Sequence, residues 1–457
     1  MSKAISIEST NKVLSPHGGL VFFNDMVENL DFRERLRALL PKNGRKQFEK
    51  FKSLLLAFIC GLDSIDDISV LREDALFSRL TDGACADSTM GDFLRAFSKR
   101  QTEQLNELLL ETATQLRKNI AVDEDFIIYS SDSTPNEQSG KKMEGVEWNY
   151  KKLWCLDTLG VYDHHGFHCG MDVRPGATYS SQGNVLLLGN ILGKTQKNIR
   201  KFFHGDSAFS NSDHYNTCIN ADCGFAMALK ENVYGPLLKK DLDWKKTNLD
   251  FFGKKGCEIS ECSYTPEGLR GGRKSLRVVL IRTKLEEKQR DLFGERYRHY
   301  ALVSNIGQHE KVPVMKKKKM RGKRGAIRKK AEGYEWMSAT SENIVKFYRS
   351  RGNTENFIKE EKYGLDLKHY PCKKLSANKV FGLVGAMAYN LMRLSSFLIS
   401  KRGCYSKKIR LTLLRRPCQV VSHARRLTLR FNREIAKEVR RNREHLKKMF
   451  SRISDTS

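Results

Sequence analysis

The chain has 457 residues, of which 30% are charged and 40% hydrophobic, with only 9 Pro and 33 Gly. This length gives room for about three domains, and the composition excludes a collagen-like, proline-rich or wholly disordered polymer. An excess of 82 Lys and Arg over 53 Asp and Glu gives a formal net charge of +29. We therefore expect a folded protein with a polyanion as its partner.

The chain shows no sign of export or membrane insertion. Its first residues, MSKAISIESTNKVL, lack the apolar core of a signal peptide, and the mean hydropathy is -0.53. The most apolar stretch, from Val380 to Met392, is too short to span a bilayer and predicts a buried helix. Eleven scattered Cys are expected as reduced thiols, so the predicted location is cytoplasmic, without membrane contact.

Residues 1–120 have a helical pattern, with an apolar run from Leu54 to Leu62 and a three-to-four spacing of Leu105, Leu109 and Leu116. A short helix starting near Asp87 follows a tight GACAD turn, as in a helix-turn-helix. Any helical bundle has the same requirement, so the sequence leaves both interpretations open. We predict a helical N-terminal DNA-binding domain over 1–120.

Residues 121–210 change to strands. The run FIIYSSDST (Phe126 to Thr134) predicts a buried strand, and KLWCLDTLGVYDHHGFHCGMDVRPG predicts an antiparallel hairpin with its turn near Asp163. A helix over SSQGNVLLLGNILGK and a short strand at Phe202 and Phe203 follow. Three strands, a helix and a strand predict an α/β fold with a ribonuclease-H-like catalytic core, of which this is the first part.

Residues 211–340 predict a β-rich insertion, with strands over SLRVVLIRTK and RYRHYALVSNI. A run at 311–330 then holds 11 basic and no acidic residues. Helical patterns resume over 341–400, the second part of the core, and the basic C-terminal region 401–457 holds 18 basic against 4 acidic residues. A solvated tail is the less favoured interpretation of either basic segment alone, and two such segments in one chain favour a polyanion partner further.

Two acids follow apolar strands. Asp132 is expected at the end of the strand FIIYSSDST, and Asp206 follows Phe202 and Phe203 in HGDSAF. Asp is disfavoured inside strands because its side chain competes for backbone hydrogen bonds, so a functional reason is worth seeking. Each acid alone is better explained as an ordinary residue of a strand-end turn.

The segment FYRSRGNTENFIKEEK carries a stronger pattern. Its positions Tyr348, Arg351, Glu355 and Lys362 are spaced three, four and seven apart, and at about 100° per residue they fall within roughly a 60° arc of one helix. A surface helix with an i,i+4 ion pair between Arg351 and Glu355 is the alternative. Gly352 weakens the case for an unbroken helix.

With these residues the chain resembles the DDE transposases of the bacterial insertion-sequence superfamily, whose signature is Y-(2)-R-(3)-E-(6)-K. The resemblance implies that Asp132, Asp206 and Glu355 are the catalytic acids, and that Tyr348, Arg351 and Lys362 contact DNA near the cut. Family members usually read RADSGF or RGDSGF at the second acid. Here His204 stands in place of the Arg and Ala208 in place of a Gly.

The resemblance also implies the chemistry and the partners. The three acids would hold two divalent cations, Mg²⁺ or alternatively Mn²⁺, for cleavage of double-stranded DNA at the terminal inverted repeats and strand transfer into target DNA. A homodimer assembled on DNA and an association with the nucleoid follow by analogy. The alternatives are a ribonuclease-H-like nuclease without strand transfer and a non-catalytic nucleic-acid-binding protein.

The basic segments are expected to contact phosphates, which makes binding depend on salt. The clearest candidates are four consecutive lysines in the basic run, Lys316, Lys317, Lys318 and Lys319. Arginines of the C-terminal region are expected to act in the same way.

Three further groups have weaker patterns. A histidine cluster near the predicted hairpin turn suggests a transition-metal site, and two cysteine pairs have a spacing that zinc permits. Ordinary turn residues and buried thiols are the favoured interpretations. Two tryptophans near the insertion are candidates for holding a flipped base, although core packing is favoured for both. These residues are His164, His165, His168, Cys218, Cys223, Cys257, Cys262, Trp244 and Trp336.

Overall fold

The protein is a mixed α/β structure with one large mixed sheet. The computed structural model describes residues 5, 7–42, 46–121, 124–140, 142–251, 254–270, 275–285, 296–321, 327–400, 403–423 and 426–454. Side chains are described for all of these except 254, 255, 317–321, 327–332 and 452–454.

The N-terminal region is helical, as predicted. Its helices bury the apolar stripe that recurs every three to four residues, and α6 turns Met90, Phe93 and Leu94 inward. A short strand, β1 (Leu14–Ser15), precedes the helices. The helices are α1 (Leu20–Asn29), α2 (Phe32–Arg37), α3 (Gln47–Cys60), α4 (Asp67–Glu73), α5 (Ala75–Leu80), α6 (Asp87–Arg95) and α7 (Lys99–Lys118).

The predicted order of strands and helix is confirmed in the next segment. The strands are β2 (Phe126–Glu137), β3 (Glu147–Trp148), β4 (Trp154–Asp163), β5 (His168–Pro175), β6 (Arg200–Gly205) and β7 (Cys223–Ala228), with helices α8 (Asn184–Lys194) and α9 (Ser212–Asn220) between the last three. β2 pairs antiparallel with β4 and parallel with β6. β6 in turn pairs parallel with β7.

The segment predicted as a β-rich insertion extends the same sheet. The strand order is β3-β4-β2-β6-β7-β13-β12-β11-β8, with β5 on β4, while β14 and β15 form a separate two-stranded antiparallel hairpin, in which Val312 and Val314 are buried. The segment contains α10 (Glu231–Tyr234), a 3₁₀ turn (Gly235–Lys239), β8 (Lys245–Lys246), β9 (Asp250–Phe251), β10 (Lys254–Lys255), β11 (Glu258–Tyr264), β12 (Leu276–Lys284), β13 (Tyr297–Ser304), β14 (Lys311–Arg321) and β15 (Ile327–Ser338).

The last part of the chain returns to helices and contacts the N-terminal region. It contains α11 (Ser341–Arg349), α12 (Gly352–Gly364), α13 (Leu375–Ile399), α14 (Ser406–Ile409), a π turn (Arg410–Leu414), β16 (Cys418–His423), β17 (Arg426–Arg430) and α15 (Arg433–Ser454). β1, β16 and β17 form one small sheet, and Arg443 makes a bidentate ion pair with Asp25 at 2.5 and 3.0 Å. The ion pair thereby links α15 to α1.

Helix α13 is a core helix. It is the one helix of the described chain long and apolar enough to cross a membrane, but 78% of its most apolar window is buried inside the protein. It packs against α3, α7 and β5. The buried helix predicted from Val380 to Met392 is therefore confirmed.

The two faces of β2 decide where the site lies. Ile127 and Tyr129 face a core shared with the N-terminal helices and α13, while Phe126 and Ile128 face a second core shared with α11. Side chains alternate along a strand, so Asp132 lies on the face that α11 covers.

Candidate functional site

Asp132 lies inside a strand, and its predicted position at a strand end is wrong. β2 continues to Glu137, and Asp132 pairs with Gly160 of β4. The parallel pairing with β6, however, ends at the rung that joins Ser130 to His204. Asp132 therefore stands just beyond the last parallel rung, where one edge of β2 is no longer covered and a polar side chain can be accommodated.

Asp206 comes directly after β6, as predicted, and β6 is the parallel neighbour of β2. Its carboxylate accepts a hydrogen bond from the backbone N–H of Ala208 at 2.8 Å. Because β2 and β6 run parallel, their carboxyl ends lie at the same edge of the sheet, and Asp132 and Asp206 both leave their strands there.

Tyr348, Arg351, Glu355 and Lys362 do not lie on one unbroken helix. α11 ends at Arg349 and α12 begins at Gly352. Across this junction the N–H groups of Ser350 and Arg351 bond three residues back, at 3.1 and 3.0 Å. These tighter turns replace the usual i to i-4 bonds, so the helix is interrupted where Gly352 weakened the prediction.

At this junction the Arg351 guanidinium contacts two of the predicted acids, Asp132 and Glu355. Arg351 Nη1 lies 3.6 Å from Asp132 Oδ2, and Nη2 lies 3.8 Å from Glu355 Oε1. Asp132 is held in place by its own backbone neighbour, since Ser133 N donates to Asp132 Oδ1 at 2.9 Å. The tertiary structure thus places two of the three predicted acids on one cation.

The charge on Asp132 is disfavoured despite this cation. Burial raises the pKa of Asp132 to about 6; the Arg351 guanidinium opposes this rise, and the Asp206 and Glu355 carboxylates add to it. The other two predicted acids therefore both affect the pKa of Asp132, so the three carboxylates are electrostatically coupled. Accumulated negative charge in a partly buried cleft is the condition in which a bound cation is most stabilising.

The three carboxylates are nevertheless spread apart. Within the described part of the chain, one group of three potential ligand side chains has all its ligand atoms within 4.8 Å of one another, and it consists of Glu124, His164 and His165. Asp132 and Glu355 have the Arg351 guanidinium between them. Glu355 is 55% exposed, so its side chain is free to change rotamer at small cost.

Tyr348 and Lys362 contact protein atoms on either side of this cluster. The Tyr348 hydroxyl lies 3.0 Å from that of Tyr300. Lys362 Nζ donates to Thr134 Oγ1 at 3.1 Å and to the Pro135 carbonyl at 2.7 Å. Lys362, in the last turn of α12, therefore faces β2.

One known protein family accounts for nearly the whole length of the chain. The transposase DDE domain group 1 family matches residues 1–324 and 335–455. The chain belongs to this family. No curated protein sequence matches it. Membership of this transposase family implies that DNA is the partner. It also implies a reaction that uses divalent metal ions, for which carboxylates are suitable ligands.

His204, noted in the sequence only as a departure from the usual Arg, is a central residue of the site. Its ring is 2% exposed, with Nδ1 at 2.7 Å from Ser130 Oγ and Nε2 at 3.1 Å from Ser350 Oγ. Burial lowers its pKa to about 3, and the nearby Arg351 adds to the shift. The imidazole is therefore neutral and does not replace the charge of an arginine.

The predicted histidine cluster does not converge. His168 is held by Glu361, 2.7 Å from its Nδ1, whereas His164 and His165 face Glu124 at 3.0 and 2.8 Å. His164 Nδ1 accepts the N–H of Ile128, so a neutral His164 carries its proton on Nε2 and donates it to Glu124. A metal at that nitrogen would need the opposite tautomer, so this group is a hydrogen-bonded carboxylate.

The cysteines and tryptophans have structural surroundings. All eleven cysteines are free thiols. Cys218, Cys223 and Cys257 are each buried. Trp336 packs on Phe126 with ring centroids 5.3 Å apart. Trp244 is covered by the Arg282 guanidinium at 4.1 Å. Packing accounts for both tryptophans, as favoured by the sequence.

The four lysines of the basic run lie on β14. Lys316 is 59% exposed, and its Nζ is 3.7 Å from Glu335 Oε2. Lys318 and Lys319 are opposite Lys330 and Lys329 on β15, and the side chains of Lys317, Lys318 and Lys319 lie outside the described ones. Like charges at opposed positions destabilise a hairpin unless an anion is close.

Proposed function

We propose that the protein is an insertion-sequence DDE transposase that cleaves DNA at element ends and joins them to target DNA. The observation that carries the proposal is that Asp206 and Glu355 both act electrostatically on Asp132, which Arg351 contacts. The Y-(2)-R-(3)-E-(6)-K spacing supports it, because the signature's Arg lies between its Glu and the first acid here. A non-catalytic binding protein has no need for this arrangement.

The carboxylates of Asp132, Asp206 and Glu355 would hold two divalent cations, Mg²⁺ or alternatively Mn²⁺. When bound, such ions activate the attacking oxygen and stabilise the leaving oxygen of an in-line displacement at phosphorus. Asp132 and Asp206 are anchored by backbone N–H groups at 2.9 and 2.8 Å, so they supply the fixed side of the site. Exposed Glu355 supplies the adjustable side by rotating toward Asp132.

Arg351 would exchange partners as DNA binds. Its guanidinium neutralises Asp132 and Glu355 in the free protein, at 3.6 and 3.8 Å. A guanidinium suits a bidentate contact with a phosphate, so we assign it to the phosphate next to the cut. Lys362 is assigned to the same strand as a point charge, and Tyr348 orients Arg351 from the buried side.

The remaining expectations fit this function. β2, β4, β5, β6 and α8 follow the order of a ribonuclease-H-like core, and we propose that fold for residues 121–210 and 341–400, with an insertion at 211–340. We propose the helical region 1–120 and the basic region 401–457 as DNA-contacting segments. A homodimer assembled on two inverted repeats, acting at the nucleoid, follows from the need to cut both ends.

The test is cleavage and strand transfer on DNA carrying the element's own terminal inverted repeat. We expect Asp132→Asn, Asp206→Asn and Glu355→Gln each to abolish both reactions while DNA binding persists. Glu267→Gln, on an exposed turn after β11, is the control and should retain activity. Full cleavage by any of the three variants removes that residue from the assignment, and cleavage without joining by the unaltered protein identifies a nuclease.

A further inference from the structure

We infer that His204 is a positioning residue, which fixes the three segments that carry the site residues through one directed chain of hydrogen bonds. The inference rests on the proposed function. It concerns the relative placement of β2, β6 and the α11–α12 junction, and His204 itself touches neither DNA nor an ion. Its two ring nitrogens reach Ser130 Oγ at 2.7 Å and Ser350 Oγ at 3.1 Å.

The direction of the chain follows from the single hydrogen of each hydroxyl. Ser350 Oγ donates to the Phe347 carbonyl at 2.7 Å, so toward His204 it can only accept. The hydrogen of the neutral imidazole must therefore be on Nε2, which leaves Nδ1 as acceptor for the Ser130 hydroxyl. The chain runs from Ser130 through His204 and Ser350 to a backbone carbonyl, and each donor is used once.

The three linked residues stand at matching distances from the site. Ser130 is two residues before Asp132, and His204 is two residues before Asp206, so each shares a face of its strand with the acid. The rung that pairs Ser130 with His204 is the last of the parallel ladder. The imidazole therefore fastens the two strands at the point where their acids leave the sheet.

The third link is to the α11–α12 junction. Ser350 directly precedes Arg351, the N-cap of α12, and Glu355 lies in the first turn of that helix. The backbone N–H groups of Ser350 and Arg351 bond only within this segment, so a side-chain bond to β6 adds a link between the junction and the sheet. The bond from His204 Nε2 supplies such a link beside Arg351, and the Phe347 ring packs on the imidazole with centroids 5.5 Å apart.

Two substitutions of His204 test its two hydrogen bonds separately. The Asn amide lies near the position of the imidazole Nδ1, so His204→Asn keeps the bond to Ser130 and loses the one to Ser350. The Gln amide lies near Nε2, so His204→Gln does the reverse. His214→Asn is the matched control, because His214 is a second buried histidine, 1% exposed, bonded at 2.9 Å to Asn211 on its own helix.

The measurement is the Mg²⁺ concentration that gives half-maximal cleavage. Loss of a partner that orients metal ligands typically weakens metal affinity by about tenfold or more, so we expect that increase for His204→Asn and for Ser350→Ala. His204→Gln should remain near the unaltered protein. The control should lose thermal stability without a change in its Mg²⁺ requirement. An unchanged requirement in His204→Asn, or equal increases in all three histidine variants, would overturn the inference.

A second readout is independent of activity. Nitrogen-15 NMR of the imidazoles, with the His204 signals identified by their loss in His204→Gln, reports which ring nitrogen carries hydrogen. We expect hydrogen on Nε2 alone, and hydrogen on Nδ1 would refute the chain. If the unaltered protein cleaves no DNA, the proposed function fails and the positioning role fails with it, while the NMR result still decides whether the hydrogen-bond chain exists.

Discussion

Replacing Asp132 by Asn should remove catalysis and at the same time stabilise the metal-free protein. Burial of Asp132 raises its pKa from the ordinary 3.8 to about 6, and the side chain is only 19% exposed. At 1.36 kcal/mol per unit, this shift corresponds to about 3 kcal/mol of stability that the charged carboxylate costs the fold near neutral pH. The neutral amide avoids this cost, and we expect a gain of about 1–3 kcal/mol.

The pH dependence identifies the cause. Because the pKa of Asp132 is raised on folding, the bound proton stabilises the folded state fully below 3.8, and this contribution is lost as the pH rises through about 6. The difference between the variant and the unaltered protein should therefore be large at about pH 7 and small at about pH 4. Adding Mg²⁺ should stabilise the unaltered protein alone, since only its site retains the full donor set.

Urea denaturation in the presence of a chelator, at both pH values, measures these differences. Asp243→Asn is the control, because Asp243 is 79% exposed and surface substitutions usually change stability by less than about 0.5 kcal/mol. An Asp132→Asn variant that is less stable near neutral pH, or that differs equally at both pH values, would show that the carboxylate is not electrostatically disfavoured.

Three further predictions follow from the site and its surroundings. At subsaturating Mg²⁺, DNA cleavage by the unaltered protein should fall as the pH drops through about 6, because a proton bound by Asp132 competes with the ion. Reversing the charge of Lys316–Lys319 should flatten the plot of log affinity against log salt by roughly one unit of slope per lost phosphate contact. Gly166→Ala should cost about 1–3 kcal/mol of unfolding free energy in a denaturant titration, since Gly166 has φ +84° and its new Cβ would lie 2.6 Å from the Phe357 ring on α12.

Each of these has a control and a contrary outcome. Cleavage that is constant across about pH 5 to 7 would contradict the raised pKa of Asp132. Lys197→Glu, on an exposed turn between α8 and β6, should leave the salt slope unchanged, and an unchanged slope in the Lys316–Lys319 variant would exclude phosphate contact there. Gly235→Ala, where an added Cβ meets nothing within 4 Å, should be close to neutral, and equal losses at both glycines would exclude the contact with Phe357.

Local patterns predicted the helices of the N-terminal region, the hairpin of β4 and β5, and the strands β2 and β6. Each of these elements is specified by neighbouring residues, through an apolar spacing of three to four or of two. The position of Asp132 within β2 was predicted wrongly for the same reason. The apolar run ends near that residue, but pairing with β4 continues the strand to Glu137, and pairing with a distant segment leaves no local signal.

The break between α11 and α12 had a partial signal in Gly352. The sequence indicated the i,i+4 pair of Arg351 with Glu355 but not the contact of Arg351 with Asp132, because that contact joins residues more than two hundred positions apart. His204 was visible only as an unusual residue beside the second acid. Its partners, Ser130 and Ser350, belong to common residue types that no spacing distinguishes.

The sequence by itself determined which residue types are available for chemistry: three acids with an arginine and a lysine at fixed spacing, and two strongly basic segments. Only the tertiary structure decided which of them meet. Sheet register sets the distance between Asp132 and Asp206, and the junction before α12 sets the direction of Arg351. The tertiary structure also decided the charge state of Asp132 and the tautomer of His204. Those properties depend on burial and on the nearest charges and hydrogen-bond partners, which chain folding brings together from remote positions.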